Sequence, residues 1–200
     1  MMKRALLAAL VLLAVGGQIA AQNLSKQAKA VRAIETLGGK IEYDANKKVI
    51  KVDLHETKVT DADLKNLEAF GELQWLDLRI TNIGDSGAAH LKKLKKLAFL
   101  NLFRTNLTDK GLAKLKNLSA LETLLIGRTK ITDDGLKALK KFSRLRKISL
   151  FQTAVSDAGL KYLEKLAALE VLLMSGSRIS EAGAASLKKS LPKIRFSEQT

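Results

Sequence analysis

The chain of 200 residues has no cysteine, one proline, two histidines and only nine aromatic residues. Without cysteine there is no disulfide framework, no thiolate zinc or iron–sulfur site and no thiol nucleophile. His55 and His90 stand in unrelated surroundings, and no Gly-rich phosphate loop, metal-ligand spacing or nucleophile motif accompanies them. Asp53, two residues before His55, gives one hint of an acid–base pair, but a strand histidine beside a carboxylate reads first as a surface pair. The chain is therefore read as non-enzymatic, with no cofactor and no metal. A composition of 46% hydrophobic and 28% charged residues excludes a disordered or collagen-like chain, and the length suits one domain or two small ones. Two things are in excess: 37 leucines, and 35 Lys and Arg against 20 Asp and Glu, for a net charge of +15.

Part of the leucine excess lies at the amino terminus. Lys3 and Arg4 precede an apolar run from Ala5 to Val15, which Gly16, Gly17 and Gln18 interrupt before the small residues Ala20 and Ala21. The run falls short of the roughly 20 residues that span a bilayer, so residues 1–21 are read as a signal peptide cleaved after Ala21. An uncleaved anchor or a buried helix is the competing reading. The expected destination is periplasmic or secreted, with no transmembrane segment after cleavage and, lacking cysteine, no lipid anchor. Removal of Lys3 and Arg4 leaves a net charge of +13, so the basic balance belongs to the folded part.

The rest of the excess is periodic. Leu73, Leu97, Leu121, Leu145 and Leu169 are 24 residues apart, with Val49 in the same register and no insertion between copies. From each start runs L-x-x-L-x-L-x-x-T-x-I-T-D-x-G-L-x-x-L-x-x-L-x-x, most cleanly from Leu121 to Arg144. Six copies fill residues 49–193. In Leu73-Gln-Trp-Leu-Asp-Leu78 the alternation is that of a half-buried strand. At the ninth place stand Thr57, Thr81, Thr105, Thr129, Thr153 and Ser177, hydroxyls suited to backbone groups at a turn rather than to catalysis. A hydroxyl and an acid follow, Thr108-Asp109 or Ser156-Asp157 for example. They predict a capped helix start, with the acid near the positive end of the dipole. Leucines three apart, such as Leu136 and Leu139, then supply one buried stripe per helix. The recurring acids come singly and lack the extra oxygens calcium requires. The second copy, with Gly84 for threonine and Ala88 for leucine, predicts the least securely held helix.

This pattern resembles the leucine-rich repeat family, and its Thr-Asp-x-Gly-Leu segment resembles a bacterial 24-residue variety. The resemblance implies an α/β solenoid: a curved right-handed stack with parallel strands on the concave face and helices on the convex face. It also implies a recognition scaffold. Residues 22–48 are expected to cap the stack with a helix patterned on Ala28, Val31, Ile34 and Leu37, stopped by Gly38-Gly39, and a hairpin around Asp44–Lys47. Residues 194–200 are expected to close the other end with a strand and tail.

Two surfaces are then candidates for binding. On the concave face, the third, fifth and seventh places, with the eighth at its edge, bring together Trp75, Asp77, Arg79, Phe99, Asn101, Phe103, Arg104, Leu125, Arg128, Lys147 and Phe151. Rings so scarce, placed where the core does not need them and beside arginine, predict a site for a protein or an anionic glycan. The alternative is that the rings merely cover one another. Arg104 and Arg128, one strand apart, repel by roughly 1–3 kcal/mol, which an anion would relieve. On the convex face, eleven basic residues from Lys92 to Arg144 stand against Asp85, Asp109, Asp133 and Asp134 on the same helical segments. That stripe is either a solvated face or a means of adhering to acidic polysaccharide, lipid or another envelope surface. Export argues against nucleic acid.

Overall fold

A copy that carries leucine at its first, fourth and sixth places cannot bury them alone, and the chain buries them by stacking. The computed structural model describes residues 26–197, in which eight strands form one sheet in chain order, β1 to β8. Residues 1–25, which hold the segment read above as a signal peptide and the first residues of the expected 22–48 cap, lie outside the described residues, as do 198–200 of the expected closing tail. β1 (Lys40–Tyr43) and β2 (Val49–Asp53) are an antiparallel hairpin. The parallel strands follow: β3 (Trp75–Asp77), β4 (Phe99–Asn101), β5 (Thr123–Leu125), β6 (Lys147–Ser149), β7 (Val171–Leu173) and β8 (Arg195–Ser197). Each pairs in a register of one copy, so that Trp75 opposes Phe99 and Phe99 opposes Thr123.

Helical segments return the chain between strands. Four are α-helices, α2 (Asp85–Leu91), α3 (Asp109–Lys114), α4 (Asp157–Leu163) and α5 (Glu181–Ser190). The other two, η1 (Asp63–Ala69) and η2 (Gly135–Lys141), are 3-10 helices rather than the expected α-helices. Both of those copies bury a phenylalanine, Phe70 and Phe142, where the copies of α2, α3 and α4 bury Leu94, Leu118 and Leu166. The slimmer 3-10 turn leaves room for the ring. Residues 26–36 form α1, whose buried side is Ala30 and Ile34; Ala28, expected on that side, is exposed. Gly38, in the left-handed region at φ 81°, ends α1 with its N–H on the Glu35 carbonyl.

Leu76, Leu100, Leu124, Ile148 and Leu172 from the strands meet Leu67, Leu91, Leu115, Leu139 and Leu163 from the helices, all fully buried. Each contributes about 1.5–3 kcal/mol of apolar burial. The threonine column closes the turn after each strand: Thr81, Thr105, Thr129 and Thr153 each donate to the carbonyl three residues back at 2.6–2.8 Å.

The acid column has a role the sequence did not suggest. Asp85, Asp109 and Asp157 start their own helices, whereas Asp61 and Asp133 stand ahead of η1 and η2, but all five carboxylates reach the next copy. Asp85 accepts the Thr108 N–H at 2.9 Å and its hydroxyl at 2.7 Å. Asp109 does the same with Thr132, Asp133 with Ser156 and Asp157 with Ser180. The hydroxyls of Thr108, Ser156 and Ser180 also cap their own helices as expected, whereas η1 and η2, expected to be capped by Thr60 and Thr132, begin at later residues without a side-chain cap. In the second copy Gly84 offers no hydroxyl, so Asp61 holds only its N–H, at 2.7 Å. α2 forms nonetheless, without a side-chain cap. The glycine two residues after each acid makes room for the preceding carboxylate: a Cβ at Gly111, Gly135, Gly159 or Gly183 would come within 2.1–2.4 Å of Oδ1.

Candidate functional site

Side chains at equivalent places of successive copies form columns on the concave sheet, about 4.8 Å apart. At the third place Trp75 and Phe99 stack with centroids 4.8 Å apart and planes 6° from parallel, while Lys51 Nζ covers the other face of Trp75 at 4.6 Å. Both faces of the indole are thus occupied within the protein, and this pair of rings does cover itself. Lys147, in the same column, stands half-buried on β6 and lines none of the concavities described below.

The fifth place requires a correction. Asp77 and Asn101 were expected on the open concave face, but they are only 1% and 4% exposed. Their side chains close the strand end instead: Asp77 Oδ1 accepts the Arg79 N–H at 2.9 Å, and Asn101 Oδ1 accepts the Phe103 N–H at 3.0 Å. Asn101 Nδ2 donates to Asp77 Oδ2 at 3.3 Å, and the Arg79 guanidinium lies 3.3 Å from the same oxygen. Burial pushes the Asp77 carboxyl above its usual range, against the opposing pull of the Arg79 N–H and guanidinium. The Asp53 and His55 pair is the first rung of this column. Asp53 Oδ1 takes the His55 N–H at 3.1 Å and meets Nδ1 at 2.6 Å, the geometry of a strand-end turn. Burial raises the Asp53 carboxyl, but the His55 hydrogen bonds outweigh it and leave the group below its usual range.

At the seventh place Phe103 and Phe151 lean toward each other across Gly127, with centroids 6.3 Å apart. A Cβ on Gly127 would lie 3.1 Å from Phe103, so this glycine is what lets the rings approach. The Arg128 guanidinium lies against both, 5.8 Å from Phe103 and 5.6 Å from Phe151, and its Nε donates to Gln152 at 2.6 Å. Beside Phe103 opens a pocket of about 200 Å³ lined by Arg79, Ile80, Asn101, Phe103, Leu125 and Ser149. It brings together four of the residues expected from sequence: Arg79, Asn101, Phe103 and Leu125. It adds Ile80 and Ser149.

The eighth place is the edge where the strands run out. Glu56, Ile80, Arg104, Arg128 and Gln152 all take positive φ, 50–56°, and Gly176 takes 71°. The cause is the ladder itself. Each of the first five turns away from the sheet while its N–H still donates to the next copy: Ile80 to Phe103, Arg104 to Gly127, Arg128 to Phe151. For β-branched Ile80 this is a strained conformation, held at the pocket wall. No sequence signal marks the eighth column except its position in the period and the glycine at 176.

Arg104 and Arg128, expected at the edge of the concave face, stand at this turn, with the Arg128 guanidinium still against the concave rings. They line a second, more open groove of about 460 Å³ together with Asn82, Asn106, Lys130 and Gln152 and the buried threonines between them. The convex stripe is partly neutralised by acids of the chain: Lys93 pairs with Glu68 at 2.6 Å, Lys96 with Glu72 and Lys137 with Asp134 at 2.5 Å. Hydrogen bonds from Lys93 and His90 hold the Glu68 carboxyl below its usual range.

Among the described residues, no helix is long and apolar enough to cross a membrane. Stacked copies, a sheet of strands in chain order on one side and helical returns on the other define a leucine-rich repeat solenoid. A family model described as "Leucine Rich repeat" matches residues 93–116 and 118–140, two adjacent copies. Two solved structures share the fold. An internalin of Listeria monocytogenes is 20% identical with a TM-score of 0.54, over 75% of this chain and 50% of that one. The leucine-rich repeat ectodomain of the Arabidopsis thaliana membrane receptor kinase GASSHO1/SCHENGEN3, solved in complex with CASPARIAN STRIP INTEGRITY FACTOR 2, is 17% identical with a TM-score of 0.55, over 78% and 19%. The chain therefore spans half the length of the first and about a fifth of the second. No curated protein matches the chain.

Proposed function

We propose that the chain is an exported, non-enzymatic binding module that recognises a protein through its concave face, with the pocket between Arg79, Ile80, Phe103 and Leu125 as the anchor. The observation that carries this reading is the pocket itself: apolar walls from three copies, a guanidinium at the rim and a strained isoleucine held in place. Interfaces are dominated by an anchor side chain that fills such a pocket beside arginine. The solved ectodomain complex is a fold-level parallel for protein recognition by such a solenoid. The bacterial 24-residue variety and the signal peptide belong to the same reading.

Affinity capture from the producing cell's envelope and medium, washed at rising salt, tests it. Apolar-anchored binding is expected to survive moderate ionic strength and to be lost in Phe103→Ala and Arg79→Ala. If both variants recover the same proteins as the parent chain, the reading is wrong. The competing reading, adhesion through convex lysines to acidic polysaccharide or lipid, loses weight where Glu68, Glu72 and Asp134 already hold those lysines.

A further inference from the structure

Along the edge where the strands run out, exposed side chains form two rows flanking the buried threonines. The eighth-place row includes Arg104, Arg128 and Gln152; the tenth-place row includes Asn82, Asn106 and Lys130. Together they border the groove of about 460 Å³, and no acid lines it. Arg128 is held by Gln152 and by two rings, but among the described residues the side chains of Arg104, Lys130, Asn82 and Asn106 make no hydrogen bond or ion pair within the protein. The backbone beneath is fixed: the Arg104 and Arg128 N–H groups bond to the next copy, as does that of Asn106 to the copy before. The groove is therefore a rigid trough that presents three cations and two free amides at the spacing of the strands.

We propose that this groove binds a segment of acidic polysaccharide. Carboxylate or sulfate groups would meet Arg104, Arg128 and Lys130, and sugar hydroxyls would meet the Asn82 and Asn106 amides, which can both donate and accept. Nucleic acid fits less well, because single strands are held by aromatic side chains on which bases stack, and no ring lines this groove. A lipid surface fits less well, because the groove is a trough without the apolar face that buries into a bilayer. The site is separate from the concave pocket and stands whether or not that pocket binds protein.

The test uses the whole chain and four probes: an oligogalacturonate, an uncharged oligosaccharide of equal length, a single-stranded oligonucleotide of equal charge, and phosphatidylcholine vesicles doped with phosphatidylserine. The oligogalacturonate is expected to bind more tightly than the other three at the same salt. Replacing Arg104, Arg128 and Lys130 together with glutamine should weaken it about tenfold or more and flatten its salt dependence. The double variant Arg104→Gln/Lys130→Gln, which spares the contacts of Arg128 with the rings, should give an intermediate loss. Replacing the convex Lys92, Lys116 and Lys140 with glutamine changes net charge by the same amount and should weaken binding much less. Asn82→Ala with Asn106→Ala should weaken binding at an unchanged salt slope. Equal losses from the two lysine and arginine triples, no loss from the asparagine pair, or tighter binding of oligonucleotide or vesicles would each overturn the proposal.

Discussion

At the scale of the residue, two positions carry strain or charge that the fold tolerates for a reason. Ile80 holds φ at 56°, where a β-branched side chain is disfavoured by about 1–2 kcal/mol, and it forms a wall of the concave pocket. Ile80→Gly is expected to raise stability by about 1 kcal/mol in urea denaturation while weakening capture of the concave-face partner. A variant that lost both stability and binding would show that packing at Ile80 outweighs its backbone strain. Asp77 is the second position. Its folded-state carboxyl lies above the ordinary range, so the folded protein binds a proton more readily there than the unfolded chain does. Its burial is tolerated best at acid pH, and that contribution is lost as pH rises through the window between the two values. Asn101 performs the same backbone duty one strand on, so Asp77→Asn is expected to melt higher than the parent at neutral pH, with the gap closing in acid. Asp157 has the opposite sign: hydrogen bonds from Ser180 depress its carboxyl, and its contribution is lost as pH falls through the depressed value.

At the scale of the element, the bond from each acid to the next copy governs how one helical return holds the following one. Gly84→Ser would supply the second hydrogen bond to Asp61 and a cap for α2. A Cβ there meets the nearest Asp61 oxygen at an ordinary 3.5 Å. The expected gain is about 1 kcal/mol in the denaturation midpoint. Gly135→Ala should do the reverse, because its Cβ would sit 2.3 Å from Asp109 Oδ1 and displace the carboxylate from Thr132. A loss of about 2–3 kcal/mol is expected by the same measurement. The strand period, the threonine turns, the starts of α3, α4 and α5 and the buried leucine columns were legible in the sequence, because each is set by residue type at a fixed spacing; the uncapped, later starts of η1 and η2 were not. What was not legible came from contact between copies. The acids looked like helix-start residues until the stack put Thr108 beside Asp85. The fifth-place Asp77 and Asn101 looked open until their neighbours covered them. The left-handed turn at Arg104 and Arg128 is a backbone conformation with no composition of its own.

At the scale of the whole molecule, the stack has two different ends. α1 and the β1–β2 hairpin lie at one, with Ala30 and Ile34 in the core; at the other, Phe196 on β8 remains partly exposed. Stability in such arrays is a sum of each copy and its interfaces, so the ends open before the middle. Amide exchange is expected to be slowest in β4 and β5 and fastest in β8. Equal protection from β2 to β8 would mean instead that the array opens in one step.

The acid-to-hydroxyl bonds also give the molecule a direction. Each copy from the second onward is held by a carboxylate of the copy before it, and the sixth copy carries Glu181 where the others carry aspartate. Drawn out by force from its carboxyl end, the chain would peel one copy at a time, each release breaking a strand pairing and one such clasp. A 24-residue copy pays out about 80 Å of extended chain. A sawtooth of near-equal steps of that size, with a weaker tooth where Gly84 meets Asp61, is the mechanical signature this geometry implies.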